Sequence, residues 1–123
     1  MSGIIGTSHS KSKVIGRSKD TCKAWINFST SGSVTVRDSF NCTASWTSAG
    51  VYTITFYKPM SNTTYSVQAD CGNYESGTSN MSRFHGHSLT TTQFGLQNYD
   101  MANTSGSNTL ADRDGNFVVV HGD

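Results

Sequence analysis

Leucine and glutamate are nearly missing from this 123-residue chain, which holds three leucines and one glutamate, Glu75. Helical bundles are built from those residues together with alanine and lysine, so a helical architecture is excluded. Charge is also scarce, at 14% of positions, while 11% are Phe, Trp or Tyr, the opposite of a disordered composition. No apolar run approaches the roughly 20 residues of a membrane helix, and no charged-then-apolar start marks a secretory leader. Cys22, Cys42 and Cys71 form no Cys-x-x-Cys, so neither a zinc knuckle nor a redox pair is indicated. They are expected to be reduced thiols of a protein made in a cytoplasm. There is no Gly-x-Ser-x-Gly, no Gly-rich phosphate loop with lysine, and a lone glutamate gives no paired-carboxylate signature. The expectation is a non-enzymatic protein.

What fills the chain instead is 19 Ser, 16 Thr, 9 Asn and 12 Gly, close to half of all positions. Asn-x-Ser/Thr triplets at Asn27, Asn41, Asn62, Asn80 and Asn103 follow from that composition by chance and are set aside. An all-β domain with a thin core is the class that remains.

Charge divides the chain in two. Residues 1–23 carry Lys11, Lys13, Arg17, Lys19 and Lys23 against Asp20 alone, a net +4, whereas residues 24–123 carry four basic and seven acidic side chains. The basic stretch repeats itself, Ile5-Gly6-Thr7-Ser8 returning as Ile15-Gly16-Arg17-Ser18. Each Ile-Gly pair is read as a knob on an extended arm that docks on another surface, against the alternative of a frayed terminus. A nucleic-acid partner is not expected, because the aromatics lie in the body and not between the basic residues. The division is residues 1–22 as docking arm and 23–123 as the folded domain.

From Cys22 onward the apolar period is two. Ala24, Ile26 and Phe28 alternate with Trp25 and Asn27, and Val34 and Val36 with Thr35 and Arg37. Tyr52, Ile54 and Phe56 form a third run, stopped by Pro59, and Tyr65, Val67 and Ala69 a fourth. Phe94 and Leu96 mark another strand, and Phe117–Val120 is apolar on both faces. Turn clusters fall at Thr30–Ser33, Ser48–Gly50, Cys71–Asn73 and Asp114–Asn116. Short strands with frequent turns predict a small antiparallel β-sandwich, jelly-roll-like, or a barrel. A body with so few apolar groups is marginal alone, and the alternation leaves Trp25, Trp46, Met60, Met81 and Met101 among outward positions, so an oligomer is expected with Trp25 and Trp46 at its interface.

The run Lys23-Ala24-Trp25-Ile26-Asn27-Phe28, its Gly-containing turn and Val34-Thr35-Val36-Arg37 resemble a segment of bacteriophage tail-fibre and virion-decoration proteins. Gly50–Phe56, Asn62–Val67 and Phe117–Val120 resemble later strands of the same family, and the likeness is dense over residues 23–70. The resemblance implies a homotrimer located on the virion, attached to a tail or major capsid protein. Two placements remain open: a tail fibre or receptor-binding appendage, and a capsid decoration (cement) protein whose arm clamps coat subunits. A glycan-binding lectin is the reading from a different class.

Candidate sites are few. His85-Gly86-His87 places two imidazoles at i and i+2, on one side of a strand, and the resemblance implies that three copies could hold an axial metal ion; the alternative is two loop histidines, with no cofactor at all. Asp112-Arg113-Asp114-Gly115-Asn116 is similar to the start of a calcium loop, but lacks the later oxygen ligands and is read as a hairpin turn. Tyr74, Phe84 and Tyr99, with their amide and hydroxyl neighbours, are the candidates for a host-glycan or receptor site.

Overall fold

Alternation in the sequence becomes two faces of a sheet in a computed structural model that describes residues 22–72, 85–101 and 108–122, with backbone alone at 85–87, 100, 101 and 108. No helix occurs among the described residues. The strands are β1 (Cys22–Thr30), β2 (Val34–Phe40), β3 (Cys42–Ser48), β4 (Val51–Phe56), β5 (Ser66–Gly72), β6 (His85–His87), β7 (Gln93–Gln97), β8 (Tyr99–Met101), β9 (Asn108–Leu110) and β10 (Gly115–His121). One sheet runs β2-β1-β10-β5, a second β3-β4-β7-β6, and β8 pairs with β9 as a short ribbon. Every pairing is antiparallel.

Most of the predicted inward residues form the core, with Val34, Val67 and Ala69 partly buried against it, whereas Val36 of β2 is exposed. Ala24, Ile26 and Phe28 of β1 and Val118 and Val120 of β10 are buried against Tyr52, Ile54 and Phe56 of β4 and Phe94 and Leu96 of β7. Phe28 meets Tyr52 edge-on across the two sheets, centroids 5.5 Å apart at 75°. Phe56, Tyr65 and Phe94 form a second aromatic group, with Phe56 and Tyr65 at 5.5 Å and 87°. Burying each such side chain contributes about 1.5–3 kcal/mol.

The structure departs from the sequence reading in several places. Met60, expected outward, is buried, because its N–H donates to the Thr91 carbonyl at 2.8 Å and turns the segment after Pro59 into the core. Cys71 and Gly72, expected in a turn with Asn73, are strand, since β5 stays paired with β10 through Gly72 opposite Gly115; Asn73 lies outside the described residues. Residues 111–114 are not a hairpin turn: β9 pairs with β8 and β10 joins another sheet, so the segment is a crossover between sheets. β1 begins at Cys22, the last residue assigned to the arm, and the rest of the arm lies outside the described residues.

Candidate functional site

Asn41 is the corner at which the chain leaves the first sheet for the second, between the last residue of β2 and the first of β3. Its φ is +57°, a left-handed conformation that asparagine tolerates better than most residues. The side chain holds three strands' ends together. Nδ2 donates to the Lys23 carbonyl at 3.0 Å and the Lys58 carbonyl at 3.2 Å, while Oδ1 accepts the Lys58 N–H at 2.8 Å. The Asn41 carbonyl also accepts the Tyr57 N–H at 3.1 Å. A groove of about 540 Å³ opens here, lined by Cys22, Lys23, Phe40, Lys58, Pro59 and Met60 together with Asn41 and Ser61. Among the described residues two lysines and no carboxylate line it. Phe40, which lines it, is 52% exposed, and Tyr57, whose N–H donates to the Asn41 carbonyl, is 70% exposed; they are the two most exposed large hydrophobic side chains among the described residues.

A second feature covers the outer face of the first sheet. Register places Phe40 beside Trp25 and Trp25 beside Val119 in one row across β2, β1 and β10. Phe117, two residues from Val119 on the same face, sits beside Asn27 in the next row. Trp25 and Val119 are half-buried and Phe117 is exposed, which leaves an apolar stripe on a sheet face that would otherwise be polar.

At the far end of the sandwich, Asp112 ties the sheets together. Its carboxylate accepts the backbone N–H groups of Gly32 and Gly50 at 2.9 Å each, the Tyr52 hydroxyl at 2.8 Å, and Trp46 Nε1 at 3.3 Å. Partial burial raises the Asp112 pKa, but the bonds from Gly50, Gly32, Tyr52 and Trp46 outweigh it and hold the carboxyl below its ordinary value. Behind it, Thr30 Oγ1 lies 3.0 Å from the Tyr52 hydroxyl and donates to the Arg113 carbonyl, and buried Asn116 bonds Phe28, Arg113 and Asn98. This is a structural clasp, with every carboxylate contact made to the protein's own groups.

The clasp also fixes the meaning of Trp46. It is 40% exposed on β3, but its indole N–H is spent on Asp112, so it is far from Trp25 in role: Trp25 lies on the open stripe of the first sheet, Trp46 at the clasp of the second. His85 and His87 lie on β6 opposite Gln97 and Gly95. Among the described residues no group of three His, Cys, Asp or Glu is placed to hold a metal ion. Tyr99 opens β8 and its hydroxyl donates to Gln97 Oε1 at 2.9 Å; the backbone of Gln97 is also the register partner of His85. Tyr74 and Phe84, like Ile5, Gly6, Lys11, Lys13, Ile15, Gly16, Arg17 and Lys19, lie outside the described residues.

Sequence reasoning passed over Asn41, Tyr57 and Lys58. The available signal was local: one asparagine, able to take positive φ, between two runs of strand character. No family model, no curated protein and no solved structure matches the chain.

Proposed function

We propose that this chain is a non-enzymatic structural protein of a bacteriophage virion, a self-assembling β-sandwich attached to the particle through its basic N-terminal arm. The finer elements of the reading are a jelly-roll-like sandwich, an extended arm and a three-fold assembly, with a tail fibre or receptor-binding position ahead of a capsid one. The observation that carries it is the apolar stripe of Trp25, Val119 and Phe117 on the outside of the first sheet. A contiguous outward apolar surface on a small, polar-rich domain marks a face built to be covered. The polar clasp at Asp112 supports the non-enzymatic part, since its carboxylate is occupied in holding turns together. The resemblance of residues 23–70 to phage tail-fibre and decoration proteins supplies the setting.

The test is the copy number of this chain per purified particle, measured by mass spectrometry against the major coat protein. Presence at a small fraction of the coat is the expected result and places the chain on the tail. A number comparable to the coat replaces the tail position by a cement role on the capsid lattice. Absence from the particle overturns the reading.

A further inference from the structure

We propose that the groove at the Asn41 corner binds an acidic oligosaccharide, a chain of sugar rings bearing carboxylates. The site rests on the host-surface part of the virion reading and names the class of ligand for it.

Three properties of the corner select that class. Lys23 and Lys58 line the groove and, among the described residues, no carboxylate does, so the favoured occupant is an anion. Phe40 lines the groove with an exposed ring, Tyr57, the chain neighbour of Lys58, is exposed as well, and flat apolar faces suit a ligand that is itself a chain of rings with apolar C–H faces. The size of the groove, about 540 Å³, lies within the usual range of roughly 300–1,000 Å³ for small-ligand sites.

The arrangement is held rather than incidental. Through one side chain and one carbonyl, Asn41 fixes the backbone of Lys23, Tyr57 and Lys58 at 2.8–3.2 Å, and Phe40 is its chain neighbour. Four chemistry-bearing residues from three separate stretches of sequence are thereby set around one corner. Fixing the backbone lowers the ordering that a ligand must impose on binding. Met60 beneath the groove is buried in the core, which gives it a rigid floor.

A single-stranded nucleic acid would also use rings and cations. It is disfavoured because its phosphates repeat at every nucleotide and two lysines neutralise few of them. An acidic peptide would use the lysines and leave the exposed rings without a matching feature. A carboxylated sugar chain uses both.

The full-length protein is titrated by calorimetry with short oligomers of galacturonate, glucuronate and sialate, with methyl-esterified trigalacturonate as the neutral control, and with oligodeoxythymidylate and oligoglutamate. Binding of at least one acidic sugar is expected, with the ester at least tenfold weaker than its acid. Lys23→Gln and Lys58→Gln each keep the backbone contacts to Asn41 and should weaken binding by up to about fivefold, the scale of an exposed ion pair. Tyr57→Ala, at a position already exposed to solvent, should weaken it with the melting temperature unchanged. No binding by any acidic sugar overturns the site, as does equal binding of acid and ester. Tighter binding of oligodeoxythymidylate or oligoglutamate than of every acidic sugar replaces it by a nucleic-acid or peptide site. A purified protein that binds no sugar but is found on the particle loses this site alone; one that binds sugar but is absent from the particle loses the virion role alone.

Discussion

The Tyr52 hydroxyl donates to the Asp112 carboxylate at 2.8 Å, joining β4 of one sheet to the segment that enters β10 of the other. The same carboxylate caps the turns at Gly32 and Gly50, so one side chain governs two chain reversals at one end of the sandwich. Removing either partner should loosen that end as a unit. Asp112→Asn substitutes an amide for a charged acceptor and should cost about 2 kcal/mol, while Tyr52→Phe should cost about 1–2 kcal/mol for the hydroxyl bonds lost. A double-mutant cycle in urea should return a coupling of about 1 kcal/mol. Additive costs would mean that the two groups act independently. Because the Asp112 pKa lies below its ordinary 3.8 in the fold, its contribution is present above that value and is lost as pH falls through the folded value. The wild type should therefore lose stability below about pH 4 more steeply than Asp112→Asn.

At the alkaline end the sign reverses. Burial, with Cys22 nearby, pushes the Cys42 thiol from 9.0 up to about 11, and burial chiefly drives Tyr52 well above 10.0. Both groups favour their neutral form in the fold, so their contribution is complete below pH 9 and is lost as pH rises from there through the folded values. Melting temperature should decline from pH 9 to 11, and less steeply in Cys42→Ala. Iodoacetamide mapping at pH 8 should label half-buried Cys22 ahead of buried Cys42 and Cys71. Equal labelling of Cys42 and Cys22 in the native protein would contradict the buried assignment.

Two glycines with the same φ of +69° should respond differently to alanine. A Cβ on Gly32 meets nothing within 4 Å, so Gly32→Ala carries only the left-handed backbone cost of about 1–2 kcal/mol. A Cβ on Gly50 would run into the Ala111 nitrogen and approach the Asn98 carbonyl oxygen to 2.6 Å, backbone atoms that cannot yield singly. Gly50→Ala should cost about 3 kcal/mol or more, or prevent folding, at the severe end of single-residue effects. Equal melting temperatures for the two variants would sink the packing argument.

Attachment through the basic arm predicts a salt dependence. Residues 1–23 carry a net +4, and charges on an exposed arm are screened over about 10 Å at 0.1 M salt. Deleting residues 1–20 should abolish rebinding to particles stripped of the protein, and raising salt from low to high should weaken rebinding of the intact chain. Rebinding that resists salt but needs the arm would assign the anchor to Ile5 and Ile15; rebinding without the arm would remove its docking role.

Much of the sandwich was legible because one side chain in two had a single place to go. Ala24-Trp25-Ile26-Asn27-Phe28 separates into a buried and an outward set without exception, as does Phe117–Val120. β3 was not legible: Cys-Thr-Ala-Ser-Trp-Thr-Ser has weak alternation and forms a strand through its pairing with β4. Short β8 and β9 were hidden for the same reason, being strands by pairing more than by pattern, whereas β6 carries the His85-Gly86-His87 spacing read as one side of a strand. The hydrogen-bond partners of Asn41 and Asp112 were beyond the sequence because these bonds span 17 or 18 residues and 60 or more, distances at which no local spacing rule operates. Trp46 illustrates the consequence: its pattern marked it as a surface apolar group, and only the fold reveals that Asp112 takes its indole N–H.

Trp25 is the residue on which the assembly reading turns. Its outward position was expected from alternation, and register adds what alternation lacks: Val119 beside it on β10 and Phe117 in the next row, which extend it into a stripe on the side opposite Phe40 and the groove. Stable subunit contacts bury roughly 800 Å² per partner around an aromatic centre, and a tryptophan flanked by Val119 and Phe117 meets the second requirement. Trp25→Ser with Phe117→Ser changes only outward side chains, so the core of Ile26, Phe28, Val118 and Val120 is retained. Sedimentation equilibrium at micromolar concentration should give three chains for the wild type and one for the double variant, with the far-ultraviolet spectrum of both remaining that of β-sheet. Phe40→Ser, placed on the groove side of Trp25, should leave three chains while weakening the acidic-sugar site. A monomeric wild type would remove the stripe as an assembly surface, and a trimeric double variant would move the interface to another face of the sandwich.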